Sequence, residues 1–171
     1  MKELGKLLMM AGNFKREDCL VIGGGHVATR RIGKILDVVR HITVIAPNVT
    51  DTIAKWAQNG RLVWLERDYS PGDEEGYSFI IVATNESSVN LEVVHRLRHH
   101  HVFLNVADHP EESNLWFVSE VDVSPVRIGI SSSGCNPSLS KKLRIALEAD
   151  LEDGGNRFVQ YLQSIYNKSK D

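Results

Sequence analysis

The chain has 171 residues and a mass of 19.2 kDa, which suffices for one full domain with a small appendage but not for two large domains. Its composition is 42% hydrophobic and 25% charged, with 13 glycines and 5 prolines, and this excludes disordered, collagen-like and disulfide-scaffold proteins. The 20 basic and 22 acidic side chains give a formal charge of −2, which excludes a global positive field for binding nucleic acid or an anionic membrane.

Short apolar runs alternate with helical segments in the first half of the chain, and this alternation predicts an α/β domain with a parallel sheet. A strand at 19–22 leads into three glycines, after which apolar residues recur at helical spacing over 27–39. A strand at 41–46, a helix at 50–59 and a strand at 61–66 follow. The first half is therefore predicted to have the order βαβαβ.

The second half begins with a buried strand at 79–83, a helix at 89–98 and a strand at 102–106. Strand-like runs at 115–118, 121–123 and 126–131 then follow one another without helices, which predicts a domain boundary near residue 113. Asn136 as cap and Pro137 as first residue predict a helix that ends at the glycines 154–155. A last short helix is predicted at 158–166.

The glycines after the first strand form the motif Gly23-x-Gly25-x-x-Ala28, between a strand and a helix as in dinucleotide-binding sites. Gly23 permits a tight turn, Gly25 lets a pyrophosphate approach the backbone, and Ala28 allows close packing of helix and strand. The N–H groups at the helix N-terminus favour the negative charge of a pyrophosphate. The plainer interpretation is a flexible turn made of glycines.

The acidic residue that usually binds the adenosine ribose hydroxyls is missing at the end of the second strand. The sequence therefore specifies the choice of cofactor only weakly. Asn48 could bind a ribose hydroxyl instead. Arg30 and Arg31 could meet a 2′-phosphate, although a solvated or sheet-packing role is an equally good interpretation for each.

Thr84 and Asp108 follow two further strands directly, at the edge where open α/β sheets form their ligand crevice. Asp108 could take a proton while a nicotinamide takes hydride, provided that partial burial raises the pKa of Asp108 toward the working pH. The plainer interpretations are a polar turn for Thr84 and an Asx-type turn for Asp108.

The histidines His99, His100 and His101 predict no metal site, because consecutive side chains of a helix cannot all face one ion. Cys19 and Cys135 are far apart, which predicts a reducing, cytoplasmic location. No apolar run of 18 residues is present, so no membrane interaction is expected. The loop 131–137 combines hydroxyls with a helix N-terminus and suits carboxylates; a helix cap with a solvated basic face is the alternative.

Five blocks of the sequence together resemble the precorrin-2 dehydrogenase family, which includes the NAD-dependent part of siroheme synthases. They are CLVIGGGHVA (19–28), TVIAP (43–47), VATNE with Asn90 (82–86), NVADHP (105–110) and ISSSGCNPSL (130–139). The resemblance covers about residues 14–150. It implies a Rossmann-type parallel sheet over 1–113, a smaller dimerisation and substrate region of strands and helix over 114–150, and a C-terminal helical segment over 151–171.

The resemblance also implies the reaction. NAD is the cofactor, and precorrin-2, a tetrapyrrole rich in carboxylates, is oxidised to sirohydrochlorin. Asp108 matches the catalytic aspartate of the family. The implied cofactor contacts are Gly23, Gly25, the pairs His26-Val27 and Ala46-Pro47, and Thr84. The implied substrate contacts are Ser131, Ser132 and Asn136. A homodimer is implied, and ferrochelatase activity is left open.

The sequence departs from the family pattern at Asn85-Glu86, Asn114-Leu115, Val118 and Ser133, and we expect these differences toward the substrate side. They motivate an alternative function, a nucleotide- or tetrapyrrole-binding module without turnover. An unrelated dehydrogenase of small hydroxy acids is a third hypothesis, but no histidine-centred acid–base set supports it.

Overall fold

The computed structural model describes residues 7–123, 126–132, 136–152 and 160. Contacts between residues divide the chain into two compact units. The larger unit is Leu8–Trp116, and the smaller one contains the chain from Phe117 onward. No helix in the described ranges is long and apolar enough to cross a membrane.

The larger unit contains one sheet of five parallel strands in the order β3-β2-β1-β4-β5. The strands are β1 (Asp18–Ile22), β2 (His41–Ile45), β3 (Val63–Leu65), β4 (Phe79–Val82) and β5 (Phe103–Val106). The two central strands, β1 and β4, are almost entirely buried, as their continuous apolar runs predict. Strand order reverses between them, so the carboxyl ends of β1 and β4 border the crevice where such sheets bind ligands.

Three amphipathic helices connect these strands and bury one face each. They are α1 (His26–Ile35), α2 (Asp51–Gln58) and α3 (Ser87–Leu97). Helix α2 begins at its Thr50 cap, whose hydroxyl accepts a hydrogen bond from the Ile53 amide at 3.4 Å. Helix α3 buries Val93, Val94 and Leu97 against the core and, on the same face, the polar side chain of Asn90. The predicted α/β fold is confirmed.

Helix α1 is shorter than the periodicity over 27–39 predicts, because it ends at Ile35. The amides of Val38 and Val39 both donate to the Ile35 carbonyl, at 2.8 and 3.2 Å, and close a turn there. The Arg40 amide then bonds to the Glu17 carbonyl at 2.8 Å, directly before β2. The chain must therefore leave the helix before Arg40, so that β2 can begin beside the start of β1.

The strand predicted at 115–118 is wrong, since this segment forms no regular strand. Side chains and backbone amides of the following segment together fill the outer edge of β5, where the Asn114 and Leu115 amides donate to Leu104 O at 3.0 and 3.1 Å. Asn114 accepts from the Leu104 amide at 2.7 Å and donates to the Val102 carbonyl at 2.7 Å, while the Ser113 hydroxyl accepts from the Val106 amide at 2.9 Å. A regular backbone ladder cannot form where these groups already satisfy the edge.

The smaller unit consists of a two-stranded antiparallel sheet and a helix packed on it. Its elements are β6 (Ser119–Val123), β7 (Val126–Ile130) and α4 (Pro137–Glu152). The predicted cap of α4 is confirmed, because the Asn136 side-chain oxygen accepts from the Leu139 amide at 3.0 Å. The predicted helix at 158–166 lies outside the described residues, except for position 160.

Candidate active site at the carboxyl edge of the sheet

The carboxyl ends of the central strands are tied together by hydrogen bonds that continue the ladder one residue beyond each strand. The Gly23 amide donates to Ile45 O at 2.9 Å and the Ala83 amide to Ile22 O at 2.8 Å. The Ala107 amide donates to Val82 O at 2.8 Å. These bonds place the glycine turn, Thr84 and Asp108 along the same edge of the sheet, as the sequence predicts.

Packing within the protein requires glycine at two positions of the turn but not at the third. A Cβ atom on Gly23, which has φ +112°, would lie 2.4 Å from Ala83 O, and one on Gly24 would lie 2.3 Å from Asn48 O. Beside Gly25, which has an ordinary extended backbone, no atom of the described residues lies within 4 Å of such a Cβ. The open space is therefore where a ligand can approach the backbone.

The N-terminus of α1 borders this open space and suits an anion. Among the described residues no side chain caps the helix, and its first turn contains no acid. The first backbone N–H groups consequently lack partners within the helix, which is the arrangement that binds phosphate groups. His26 and Val27 are both exposed at this end of the helix. The residues present thus fit the pyrophosphate of a dinucleotide.

The other predicted cofactor contacts differ in their accessibility. Pro47 is exposed, whereas Ala46 is buried and its carbonyl accepts from the Trp64 indole nitrogen at 2.9 Å. The Thr84 hydroxyl donates to the Asn90 side-chain oxygen at 2.6 Å and accepts from the Glu86 amide at 3.1 Å. Thr84 therefore helps to hold Asn90, and cofactor contacts at both Ala46 and Thr84 stay predictions.

Asp108 lies directly after Ala107, and the buried amide of Asn90 orients it. The Asn90 nitrogen donates to Asp108 Oδ1 at 2.9 Å and to the Thr84 carbonyl at 3.2 Å. Asn90 itself is completely buried, so its amide has few alternative partners. One oxygen of the carboxylate is thereby fixed, while the Asp108 side chain remains 35% exposed.

The condition named for Asp108, that burial raises its pKa toward the working pH, is not met. Burial does act in that direction, but hydrogen bonds from Asn90 and Ser87 stabilise the carboxylate and, with the neighbouring His109, hold the pKa of Asp108 below its ordinary value. Asp108 is therefore ionised at neutral pH and can accept a proton without first losing one.

Arg31 packs against the sheet and contributes positive charge near Asp108. Its Nη1 atom points to the Val82 carbonyl at 3.5 Å, at the end of β4. Burial and, less strongly, the charge of Arg30 lower the pKa of Arg31 to about 10, although the Asp108 charge opposes both. The sheet-packing role considered for Arg31 is thus present, and a contact with a 2′-phosphate stays a prediction.

Asp108 also begins a chain of polar contacts that leads along the loop. Its Oδ2 atom lies 3.6 Å from His109 Nε2. The Ser87 hydroxyl is also 2.7 Å from His109 Nε2, and His109 Nδ1 is 3.3 Å from Glu111 Oε1. In the described ranges, no group of three or more His, Cys, Asp or Glu side chains is arranged to hold a metal ion.

The predicted substrate contacts belong to the smaller unit. The Ser132 hydroxyl accepts from the Asn136 amide at 3.1 Å, and the Asn136 side chain caps α4. Ser131 is exposed. Ser133 and Cys135 lie outside the described residues. The helix cap proposed as the alternative interpretation of this loop is thus present, and substrate binding by the three residues stays a prediction.

Sequence analysis assigned no role to Asn90, Ser87 or His109, which the structure places around Asp108. A signal for Asn90 was available, because a polar residue interrupts the apolar face formed with Val93 and Val94. Nothing in the local pattern distinguishes Ser87 from an ordinary first residue of a helix. The departure Asn114, expected toward the substrate, instead closes the edge of β5 beside Leu104.

Comparison with known proteins gives the same fold. Residues 10–119 match the model of a family described as NAD(P)-binding. The siroheme synthase of Nitrosococcus oceani is 33% identical over 149 residues, which are 87% of this chain and 32% of that protein. The siroheme synthase of Methylococcus capsulatus is 35% identical over 130 residues, 76% of this chain and 27% of that protein. The chain spans less than a third of the length of these curated relatives.

A solved structure matches over most of both chains. SirC, a precorrin-2 dehydrogenase, superposes with a TM-score of 0.78 at 29% sequence identity, and the match covers 94% of this chain and 78% of that chain. The predicted architecture of a Rossmann-type sheet with a smaller unit of strands and helix is therefore confirmed.

Proposed function

The chain belongs to the NAD(P)-binding family and is a relative of siroheme synthases and precorrin-2 dehydrogenases, and from this membership we propose that it catalyses the NAD-dependent dehydrogenation of precorrin-2 to sirohydrochlorin. The observation that carries the proposal is an ionised carboxylate, Asp108, fixed by Asn90 on the sheet edge that also bears the open glycine turn.

The glycine turn and α1 form the proposed cofactor site. The N–H groups at the start of α1 bind the pyrophosphate, and the space beside Gly25 admits it. Gly23, His26, Val27, Ala46, Pro47 and Thr84 complete the proposed contacts. Bound NAD⁺ supplies the acceptor for the hydride that leaves the substrate.

Asp108 is the proposed base. Dehydrogenation of precorrin-2 removes two electrons and two hydrogens, one as hydride and one as a proton. The ionised Asp108 accepts the proton, and the Asn90 amide keeps the carboxylate oriented while it does so. A positioned base of this kind typically contributes about 10²–10⁴-fold to the rate.

The smaller unit carries the residues proposed to bind the substrate and to form a dimer. We propose that Ser131, Ser132 and Asn136 bind carboxylates of the tetrapyrrole, aided by the basic residues Lys141 and Lys142 that follow. We also propose that the protein is a cytoplasmic homodimer. In it, residues 1–113 bind NAD, residues 114–150 form the dimerisation and substrate region, and residues 151–171 form a C-terminal helical segment. Three large apolar side chains of α4 support dimer formation, because Leu139, Leu143 and Ile145 are each about half exposed.

The decisive test is anaerobic incubation of the purified protein with precorrin-2 and NAD⁺, with NADH and sirohydrochlorin followed by absorbance. We expect the wild type to form both products and Asp108→Asn to lose at least about 100-fold in kcat, because the amide cannot accept the proton. The fluorescence titration of NAD⁺ should give the same affinity for both proteins.

The matched control is Asp37→Asn, which removes an exposed carboxylate paired only with Arg61 in the contacts of the larger unit. It should retain the wild-type kcat. A folded wild type that binds NAD⁺ and precorrin-2 but forms no NADH would instead favour the binding module without turnover.

A further inference from the structure

Two threonines behind the glycine turn join the starts of helices α1 and α2. The hydroxyl oxygen of Thr29, near the start of α1, lies 2.7 Å from that of Thr50, the cap of α2. The Thr29 hydroxyl also donates to the Gly25 carbonyl at 3.0 Å, and this carbonyl accepts from the Thr29 amide at 2.9 Å as well. The Thr50 amide donates to the Gly24 carbonyl at 3.0 Å. The same pair of threonines therefore holds the carbonyls of both glycines.

The hydroxyl contacts form a chain in which every hydrogen has an acceptor. The Thr29 hydroxyl gives its hydrogen to Gly25 O, so the hydrogen between the two hydroxyls comes from Thr50. The Thr50 oxygen in turn accepts from the Ile53 amide at 3.4 Å. The hydrogen bonds thus run in one direction, from the cap of α2 to the glycine turn. Removal of either hydroxyl interrupts this chain.

The orientation of the two carbonyls determines where the neighbouring N–H groups point. A trans peptide directs its carbonyl and its N–H in opposite directions. Because Gly24 O is bound by the amide that begins α2, the Gly25 N–H points away from α2. Gly25 O faces into α1, so the His26 N–H points out of the start of that helix. Neither N–H can be paired within the helix, and both are thus available to an anion.

A turn made of glycines needs such a restraint. Glycine adopts positive and negative φ about equally well, so the peptide between Gly24 and Gly25 can turn over at little cost unless its carbonyl is bound. After such a rotation the Gly24 carbonyl, instead of the Gly25 N–H, would face a pyrophosphate and repel it. The affinity for a pyrophosphate then falls in proportion to the fraction of molecules that keep the correct orientation.

We propose that Thr29 and Thr50 are positioning residues of the cofactor site, which keep the N–H groups of Gly25 and His26 directed toward the pyrophosphate. Neither threonine side chain has to contact the cofactor for this role. The inference rests on the proposed cofactor site but not on precorrin-2 as the substrate. It makes the start of α2 a determinant of cofactor affinity, in addition to the glycine motif itself.

The first test is the affinity for NAD⁺, measured by fluorescence titration. Thr29→Val keeps the shape of the side chain but lacks the hydroxyl. We expect its Kd for NAD⁺ to rise about 3- to 10-fold, which is the effect of one hydrogen bond on such an equilibrium. Thr29→Ser keeps the hydroxyl and should stay within about 2-fold of the wild type. The matched control is Thr52→Val, at an exposed threonine of α2, which should bind NAD⁺ like the wild type.

A double variant tests whether the two hydroxyls act together. Thr50→Val should also weaken the binding of NAD⁺. In Thr29→Val/Thr50→Val the loss should be at least about 2-fold smaller than the product of the two single losses, because both substitutions remove the same contact. Single losses that simply multiply would show two independent effects and would overturn the proposed pair.

The third test separates positioning from a general loss of stability and needs neither substrate nor cofactor. Amide hydrogen exchange is followed by NMR at Thr50, whose N–H binds Gly24 O, and at Asn59, whose N–H binds Lys55 O at the other end of α2. In Thr29→Val we expect exchange at least about 5-fold faster at Thr50 and unchanged at Asn59. Equal acceleration at both amides would mean that the whole helix is destabilised, and it would overturn the positioning role.

The outcomes distinguish this inference from the proposed function. A Thr29→Val protein with wild-type affinity for NAD⁺ overturns the positioning role and leaves the dehydrogenase standing. A wild type that binds NAD⁺ but forms no NADH overturns the dehydrogenase alone, and a wild type that does not bind NAD⁺ overturns both. With an active wild type, Thr29→Val should raise KM for NAD⁺ and keep kcat at saturating NAD⁺. A lower kcat with unchanged KM would contradict the inference.

Discussion

Asp108 combines exposure to a ligand with a fixed orientation, and a single buried amide explains both. Asn90 is completely buried on the apolar face of α3, yet its nitrogen reaches Asp108 Oδ1 at 2.9 Å. Leaving a buried amide unpaired costs about 1–3 kcal/mol. This cost favours the conformation in which Asn90 hydrogen-bonds both Asp108 and Thr84. The base is held in place by the core rather than by the loop that carries it.

The glycine turn provides a prediction at the same scale. Gly25→Ala should keep the stability of the protein within about 1 kcal/mol, since the alanine side chain enters open space with an allowed φ. It should weaken NAD⁺ binding at least 10-fold, because the methyl group occupies the position of the pyrophosphate. Calorimetric titration with NAD⁺ and urea unfolding measure the two effects.

The matched variant is Gly23→Ala, which should behave in the opposite way. Its Cβ atom would lie 2.4 Å from Ala83 O at a positive φ, so a loss of stability of about 2 kcal/mol or more is expected. Equal loss of stability in the two variants would mean that Gly25 is required by packing.

Asp108 and the glycine turn could be predicted because the end of a strand determines where a residue lies. His109 and Ser87 could not, since 22 positions of sequence separate them and only the folded loop joins their side chains at 2.7 Å. The pKa of Asp108 could not be predicted either, because the effect of burial, which raises it, is outweighed by hydrogen bonding that only the folded structure shows.

At the scale of elements, the amino ends of β1 and β2 are joined by a cluster of charges. Asp18 accepts from Arg40 Nε at 2.8 Å and lies 3.0 Å from His41 Nδ1. The hydrogen bond from Arg40 and, less strongly, that from His41 lower the pKa of Asp18 to about 2 although burial opposes them. The cluster aligns the register in which Asp18 pairs with His41.

Asp18→Asn should lower the free energy of unfolding by about 1 kcal/mol at pH 7, a small value because the ion pair is near the surface. A lowered folded-state pKa stabilises the protein above the ordinary pKa of aspartate, about 3.9, and this stabilisation is lost as the pH falls toward 2. The difference between variant and wild type should therefore be constant above pH 5 and shrink steadily below pH 4.

Urea unfolding between pH 2 and pH 7 measures this difference, with Asp37→Asn as control, since the side chain of Asp37 is 86% exposed. A stability difference that persists at pH 2 would show that the Asp18 carboxylate charge is not responsible.

Elements were predictable where periodicity alone determines them, as for β4 and α3. The two errors, the end of α1 and the segment 115–118, have one cause, which is that hydrogen-bond partners distant in sequence decide where an element stops. Arg40 must meet Glu17, and Asn114 must meet Leu104. Neither partner can be inferred from a local window of residues.

At the scale of the whole molecule, the two units differ in how well each can stand alone. The larger unit buries two central strands and three helix faces. In the part of the smaller unit that the structure describes there are a two-stranded sheet and α4, and such a sheet needs further packing to be stable. The half-exposed residues Leu139, Leu143 and Ile145 offer apolar surface for that packing.

The proposed homodimer is tested through α4. Light scattering should give twice the 19.2 kDa chain mass for the wild type. Leu143→Glu should shift the mass toward the monomer, because an ionised carboxylate is costly to bury in an apolar interface. Glu120→Gln on β6 is the surface control and should remain dimeric; a wild type of monomer mass, or a dimeric Leu143→Glu, would contradict the assignment.

The Ser113 and Asn114 side chains have a consequence for how copies of this protein behave at high concentration. Together with the Asn114 and Leu115 backbone amides, which donate to Leu104 O, they occupy the backbone groups that β5 would otherwise present to a strand of another molecule. At the opposite edge β3 is only three residues long, although Val63 is 55% exposed. Edge-to-edge aggregation is thus opposed on one side by two polar side chains and on the other by a strand too short to serve as a template.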